Sequence, residues 1–256
     1  MIGIVGGMGP YSGTDLLEKI FDNTIANNDQ EYIDTVLLSM GSKVEDRTQY
    51  LLGKVKVNPA ISIAKLLLKL QSMGVTVAGI PCNTSHSKEI FDVIKFELKK
   101  VNSSIKLLNM IDETISFIDS FYPKNIERIG ILSTTGTYKS GIYKIPLLSK
   151  GYEVIVPPYE MQEKYIHPAI YDPIYGIKSV SNPINKQARK NLMKGIDFFK
   201  ENNVEVVILG CSEIPLAIKE TIINTMQIID PTNILARALI HNFNSDKLRP
   251  FLKEKS

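Results

Sequence analysis

Apolar residues in the first half of this 256-residue chain recur in two alternating patterns. Short continuous apolar runs, typical of strands buried in a parallel sheet, predict strands at residues 2–5, 35–40 and 77–82, with a short one at 105–109. Between them, apolar residues recur at helical spacing. One predicted helix has Asn58 as its cap and Pro59 at its first position, and it ends at Gly74. Another runs through Phe91 and Leu98.

The second half repeats this alternation. Strands are predicted at 129–132, 152–156 and 204–209, and helices at about 185–202 and from Asp230-Pro231 onward. Alternating strands and helices favour parallel sheets with helices on both faces. The predicted fold class is therefore α/β, doubly wound.

The landmarks of the two halves have nearly the same spacing, which indicates an internal duplication. Gly3 and Cys82 are 79 positions apart, and Gly130 and Cys211 are 81 apart. We expect two similar lobes with a cleft between them and a boundary near 117–125. The N-terminal lobe is predicted at 1–115, completed by the C-terminal helix at about 230–256, and the C-terminal lobe at 116–229.

The segment 157–182 is rich in Pro and Tyr and has little periodicity. It is predicted to be a long connection without regular structure. Such connections in compact domains are often functional.

Composition excludes several classes of function. A formal net charge of +3, with lysines spread along the chain, does not favour nucleic-acid binding. No apolar stretch reaches the length of a membrane helix, which is about 18 residues or more. The N-terminus shows no signal peptide, so we expect a cytoplasmic protein whose two cysteines are free thiols.

Each cysteine ends a buried strand and is followed by small polar residues: Cys82 by Asn83-Thr84, and Cys211 by Ser212-Glu213. Ligands of open α/β sheets bind beyond the carboxyl ends of the strands. Two thiols facing one carbon from opposite sides would suit a cofactor-free racemase, because one removes a proton and the other returns one. The alternatives are two core cysteines or a disulfide.

Other motifs carry weaker signals. The glycine-rich loop 6–10 follows a strand but lacks the spacing of a dinucleotide fingerprint, so close approach to a small ligand explains it better. His86 and His167 have no partners at metal-ligand spacing, and no metal site is expected. Glu213 either adjusts the chemistry of Cys211 or is simply an acid at the start of a helix.

Six segments in order resemble the aspartate/glutamate racemase superfamily, and within it the aspartate racemases most closely. They are Gly6-Gly7-Met8-Gly9-Pro10, Asp46-Arg47-Thr48, Pro81-Cys82-Asn83-Thr84, residues 132–137, residues 174–178 and residues 210–215. The resemblance implies two flavodoxin-like lobes related by a pseudo-twofold axis, with the active site in the cleft between them. It also implies a homodimer that racemises an acidic amino acid without pyridoxal phosphate or metal.

The resemblance assigns roles to individual residues. Cys82 and Cys211 would be the acid/base pair, and both being present favours racemisation over the decarboxylase and isomerase branches. Ser212 occupies a position where threonine is common. The other implied site residues are Arg47 and Lys178, which would hold carboxylates; Asn83, Thr84 and Ser85, which would bind the α-carboxylate; and Met8 and Thr135, which would line the site.

The sequence thus predicts an aspartate racemase. A broad aspartate/glutamate racemase stays open, because one methylene is worth only about 1–3 kcal/mol of discrimination. A non-catalytic amino-acid binding module on the same fold is the alternative of a different class. Hydantoin racemase and dicarboxylate isomerase activities are disfavoured by the segment Asp46-Arg47-Thr48.

Overall fold

The structure, a computed structural model, describes residues 1–122 and 126–251 and contains two sheets. The first has the strand order β2-β1-β3-β4 and the second β6-β5-β7-β9-β8. All neighbouring strands are parallel except β8 and β9. The strands are β1 (Ile2–Gly6), β2 (Thr35–Ser39), β3 (Val77–Gly79), β4 (Lys106–Leu107), β5 (Arg128–Ser133), β6 (Glu153–Ile155), β7 (Val206–Gly210), β8 (Ile222–Ile223) and β9 (Met226–Ile229).

Helices flank both sheets. They are α1 (Pro10–Asp22), α2 (Arg47–Leu51), α3 (Ala60–Ser72), α4 (Lys88–Lys100), α5 (Met110–Phe121), α6 (Thr135–Ser140), α7 (Lys144–Ser149), α8 (Tyr159–Met161), α9 (His167–Tyr171), α10 (Lys186–Glu201), α11 (Ile214–Ala217) and α12 (Pro231–Asn244). No helix within residues 1–122 and 126–251 is long and apolar enough to cross a membrane.

The strand orders confirm the predicted fold class. The order β2-β1-β3-β4 is the 2-1-3-4 arrangement of flavodoxin-like sheets, and the second sheet repeats it with β9 in fourth place and β8 as an antiparallel edge. Because β3 and β7 hold the same place in their sheets, each cysteine follows a central strand. The molecule therefore has two flavodoxin-like lobes.

Helix caps explain why the predicted helices begin where they do. Side-chain oxygens of Asn58, Asn185 and Asp230 accept backbone N–H groups at the starts of α3, α10 and α12, at 2.8–2.9 Å. Gly74, with a φ of +90°, lies just beyond α3. The four helices predicted from the sequence thus correspond to α3, α4, α10 and α12.

The prediction that residues 157–182 lack regular structure is wrong for half of that segment, residues 159–171. Helix α8 continues through a π-helical turn, Gln162–Ile166, into α9. Ile166, Ala169 and Ile170 are fully buried in one apolar cluster with residues of α10. Their spacing of three and four residues is helical, but it covers too few positions to stand out among the Pro and Tyr residues.

Helix α12 packs on α1 and α5, and it contacts both sheets. Leu235 and Leu239 share an apolar cluster with residues of β1, whereas Ile234 belongs to a cluster with residues of β5 and β7. The predicted boundary between residues 115 and 116 falls within α5. Of the predicted boundary segment, residues 123–125 lie outside the described residues, as do 252–256 of the predicted C-terminal helical region.

Candidate active site

Cys82 and Cys211 line the same small cavity, of about 10 Å³, between the two sheets. Cys82 lies three residues beyond β3 and Cys211 directly follows β7. Both are free thiols, 6% and 5% exposed. The residues that line this inner cavity are Met8, Arg47, Thr48, Cys82, Asn83, Thr84, Thr134, Tyr171, Lys178, Cys211, Ser212 and Glu213.

The structure brings together all but two of the residues predicted for the site. Ser85 lies in the 3-10 turn Asn83–His86 and is fully buried behind the cavity wall, where its hydroxyl is 4.0 Å from the Met8 sulfur. Thr135 begins α6 and donates a hydrogen bond of 2.7 Å to Glu163. Neither residue lines the inner cavity.

Glu213 is the charged neighbour of Cys211. The Cys211 sulfur donates to Glu213 Oε2 at 3.0 Å. Burial and the Glu213 carboxylate raise the pKa of Cys211 well above its ordinary value. Cys211 is therefore a protonated thiol at neutral pH.

The other oxygen of Glu213 connects the two lobes. Glu213 Oε1 accepts from Lys178 Nζ at 2.6 Å and from the Gly9 backbone N–H at 3.0 Å. Burial raises the pKa of Glu213, but Lys178 and Cys211 lower it by more, so this group is a carboxylate. Burial lowers the pKa of Lys178, but Glu213 raises it above its ordinary value, so this group is an ammonium.

Arg47 is buried at the start of α2 and faces Cys82. Its Nη1 and Nη2 donate to the carbonyls of Glu45 and Met8, at 3.1 and 3.2 Å. Burial lowers the pKa of Arg47, but its interactions with the neighbouring Cys82 and Asp46 side chains raise it by more. Its Nε has no hydrogen-bond partner among the described residues.

A second buried donor without a partner belongs to Asn83. This side chain is 2% exposed, and its Nδ2 has no hydrogen-bond partner among the described residues. Unpaired buried donors are costly unless a ligand accepts from them. Asn83 Nδ2 and Arg47 Nε are thus two buried donors without a partner among the described residues, and both belong to residues that line the inner cavity.

Three further residues of the inner cavity were not predicted: Thr48, Thr134 and Tyr171. Thr48 and Thr134 are the sequence neighbours of Arg47 and Thr135. This adjacency to predicted site residues is the one feature of the sequence that could have indicated them. Tyr171 lies in the misassigned segment 157–182, where no pattern singles it out. Its hydroxyl donates to Asp46 Oδ2 at 3.2 Å across the cleft, and its ring lies 5.2 Å from Lys178 Nζ.

A larger cavity of about 280 Å³ adjoins the inner one and shares four lining residues with it: Met8, Arg47, Lys178 and Glu213. The glycine-rich loop forms one wall of this outer cavity. A Cβ at Gly7, whose φ is +87°, would come within 2.4 Å of the Gly41 nitrogen. The loop therefore approaches the neighbouring backbone as only glycine allows.

His86 lies in a position that fits a structural role. His86 Nε2 is 3.1 Å from the Ile80 carbonyl, and burial lowers the pKa of this imidazole to about 4. Within the described part of the chain, no group of three or more His, Cys, Asp or Glu side chains is placed to hold a metal ion.

Comparisons with known proteins agree on one family. The sequence model of the family described as "Asp/Glu/Hydantoin racemase" matches residues 5–239. The broad specificity amino-acid racemase RacX of Bacillus subtilis is 26% identical over 248 residues, which are 95% of this chain and 98% of that protein.

Solved structures give the same result for the fold. The aspartate racemase of Picrophilus torridus superposes with a TM-score of 0.76 at 28% identity, covering 94% of this chain and 93% of that one. The glutamate racemase of Francisella tularensis, solved in complex with D-glutamate, has a TM-score of 0.64 at 19% identity, over 98% and 84% of the two chains. The second likeness concerns the fold alone.

Proposed function

We propose that this chain, which belongs to the Asp/Glu/hydantoin racemase family, interconverts L- and D-aspartate with Cys82 and Cys211 as its two proton-transfer groups. The observation that carries the proposal is that both thiols line one cavity together with Arg47, Lys178 and Asn83. Thiols can serve as acid and base near neutral pH, so the proposed reaction uses no cofactor.

The two cysteines differ in their charged neighbours, and this difference supports complementary roles. Racemisation needs a base on one face of the α-carbon and an acid on the other. Cys211 is held as a thiol by burial and Glu213. Cys82 lies beside the Arg47 guanidinium, which would balance the charge of a thiolate. For one direction of the reaction we therefore assign Cys82 as the base and Cys211 as the acid.

The cationic and donor groups favour a substrate with two carboxylates. Asn83 Nδ2 and Arg47 Nε are free to donate, and a planar guanidinium matches a carboxylate better than an ammonium does. Neutralising the α-carboxylate would also stabilise negative charge that develops on the α-carbon. The second carboxylate would compete with Glu213 for Lys178.

Aspartate has to enter from the outer cavity. At about 10 Å³, the inner cavity has room for roughly one water molecule. Its wall toward the outer cavity consists of the four shared residues, Met8, Arg47, Lys178 and Glu213. We infer that substrate binding displaces Lys178 from Glu213 and widens this wall.

The likeness to the aspartate racemase of Picrophilus torridus supports aspartate as the substrate. A broad-specificity activity is the second candidate, favoured by the match to RacX over nearly the full length of both chains. Glutamate would then be turned over at a comparable rate.

Proton NMR in deuterated water tests the proposal directly. The purified protein is incubated under reducing conditions, without added cofactor, with L-aspartate, L-glutamate and L-alanine separately. We expect loss of the α-proton signal of aspartate together with formation of D-aspartate. Comparable loss for glutamate would establish the broad activity. No exchange with any of the three would leave a binding module as the better hypothesis.

Replacement of either thiol tests the mechanism. Cys82→Ala and Cys211→Ala should each abolish interconversion while substrate still binds. Racemisation at the wild-type rate in either variant would contradict the two-thiol mechanism. A homodimer, also part of the proposal, can be tested by light scattering of the same wild-type preparation.

A further inference from the structure

The turn that follows Cys82 is held from the other lobe by a buried hydroxyl. Tyr143 lies between α6 and α7 and is 1% exposed. Its hydroxyl donates to Asn83 Oδ1 at 2.5 Å, 60 positions away in the sequence. Tyr143 does not itself line the inner cavity.

This hydrogen bond determines which end of the Asn83 amide is left without a partner. Burial raises the pKa of Tyr143, so the hydroxyl keeps its proton and can donate. Thr114 also lies beside the Tyr143 hydroxyl, and the Thr114 hydroxyl itself donates to the Met110 carbonyl at 2.7 Å. With Oδ1 engaged by Tyr143, the free Nδ2 is the end that remains for a ligand.

We propose that Tyr143 is a positioning residue, which orients the Asn83 amide so that Nδ2 donates to a substrate carboxylate. The proposal rests on the proposed function for the identity of that substrate. The reversed amide would present its carbonyl oxygen to the carboxylate, and two acceptors repel each other. Tyr143 acts only through Asn83.

The next residue of the turn is held in the same way. Thr84 Oγ1 lies 3.1 Å from Thr137 Oγ1 in α6, and both side chains are buried. Two successive residues after Cys82 thus depend on the C-terminal lobe for their placement. The carboxylate-binding turn is complete only when the two lobes are in contact.

The test compares Tyr143→Phe with the wild type and with Tyr152→Phe. Tyr152 is the matched control, because its hydroxyl donates to Asp119 at 2.9 Å on the surface. For Tyr143→Phe we expect KM for L-aspartate to rise roughly tenfold, the effect of losing a hydrogen bond to a charged group. The value of kcat should change much less, and Tyr152→Phe should match the wild type in both.

A double-mutant cycle separates positioning from a general packing role. Asn83→Ala should raise KM at least as much as Tyr143→Phe, and the double variant should be no worse than Asn83→Ala alone. Losses that add, or an unchanged KM with only a lower melting temperature, would overturn the proposal.

Succinate, a dicarboxylate without an α-amino group, gives a measurement that needs no turnover, and its first part uses only the wild type and Asn83→Ala. In the wild type, the Asn83 side-chain amide signal, assigned by its loss in Asn83→Ala, should shift when succinate is added. Tyr143→Phe should weaken succinate binding by a similar roughly tenfold factor in calorimetry. An unmoved Asn83 signal, or no succinate binding by the wild type, would contradict the inference.

These measurements keep the two proposals apart. Failure of the wild type to exchange the α-proton of any amino acid would contradict the proposed racemisation, while succinate binding would still report on Asn83. Exchange with an unchanged KM in Tyr143→Phe would leave racemisation standing and remove Tyr143 from the site.

Discussion

Glu213 makes the two cysteines chemically different although they hold equivalent places in the duplicated fold. Its carboxylate accepts from Cys211 and from Lys178 at once, with one oxygen for each. Cys82 has no carboxylate hydrogen-bonded to it among the described residues, and it faces Arg47 instead. The two thiols therefore hold matching positions in the duplicated fold, but the charged groups around them differ.

The charge on Glu213 should control how readily Cys211 reacts with iodoacetamide. Because burial and this carboxylate raise the pKa of Cys211, its alkylation should be slow at neutral pH and should accelerate above the pKa of an ordinary cysteine. Glu213→Gln removes the negative charge, so the pKa of Cys211 falls and alkylation at neutral pH should accelerate about tenfold per unit of pKa change. Mass spectrometry against pH, in a Cys82→Ala background, measures Cys211 alone.

Glu220→Gln is the control for this experiment. Glu220 is a surface carboxylate paired with Arg189, and it makes no contact with Cys211. Its variant should leave the alkylation profile unchanged. A Glu213→Gln profile identical to that of the parent would show that burial alone raises the pKa of Cys211.

The sequence predicted those site residues that lie within a recognisable local pattern, such as the end of a strand or a segment shared with the racemases. Cys82 and Cys211 end predicted strands, and Arg47 lies in a segment shared with the racemases. Ser85 was expected beside Asn83 in the site; it is buried in the same 3-10 turn with its hydroxyl against the Met8 sulfur, and it does not line the inner cavity. Tyr171 could not be found, because its place in the cavity depends on how a helix of one lobe packs on the other.

Between elements, the packing of α6 on α2 is one of the contacts that hold Arg47 against the second lobe. Gly136 in α6 lies directly against Thr48, the second residue of α2. A Cβ at Gly136 would come within 2.8 Å of the Thr48 hydroxyl and 3.1 Å of its Cα. Because the latter is a backbone atom, a rotamer change of Thr48 cannot relieve the overlap.

Gly136→Ala should therefore impair activity more than stability. Alanine favours the helix by up to about 1 kcal/mol, which offsets part of an overpacking cost of about 1–3 kcal/mol. A shift of α2 by a few tenths of an ångström moves Arg47. Since a misplacement of a full ångström can cost about a hundredfold in rate, we expect a loss of roughly severalfold. Aspartate kinetics and a melting temperature on the same preparation check both parts of the prediction.

Ser140→Ala provides the comparison on the same helix. Ser140 donates to the Thr137 carbonyl within α6, and it does not line the inner cavity. This variant should retain wild-type kinetics. Full activity of Gly136→Ala would mean that α2 accommodates the added methyl group without displacing Arg47, which would contradict the prediction.

The elements that periodicity identified are those with long apolar stripes or continuous apolar strands. Helix α10 runs from Lys186 to Glu201, within one residue of its predicted limits at each end. Helices α8 and α9 were missed because each has five residues or fewer, and burial against α10 rather than a long stripe holds them in place. Short elements of this kind depend on tertiary packing.

At the scale of the whole molecule, the division of the chain into lobes depends on which lobe contains α12. It is the last long helix, but its Leu235 and Leu239 are fully buried in the cluster that contains Ile2 and Ile4 of β1. The duplication alone would assign residues after β9 to the second lobe. We propose instead that the C-terminal helix completes the N-terminal lobe, so that the chain returns to the lobe where it began.

Leu239→Ala tests this division by hydrogen exchange. Loss of a fully buried leucine should lower the free energy of unfolding by about 2–5 kcal/mol. If α12 belongs to the N-terminal lobe, amide exchange should accelerate in β1, β3 and α1 more than in β5 and β7. Leu192→Ala, in the cluster of α10 with β5 and β7, should give the opposite pattern. Equal acceleration of amide exchange in both sheets, in both variants, would mean that the molecule unfolds as one unit. That outcome would contradict the proposed division into lobes.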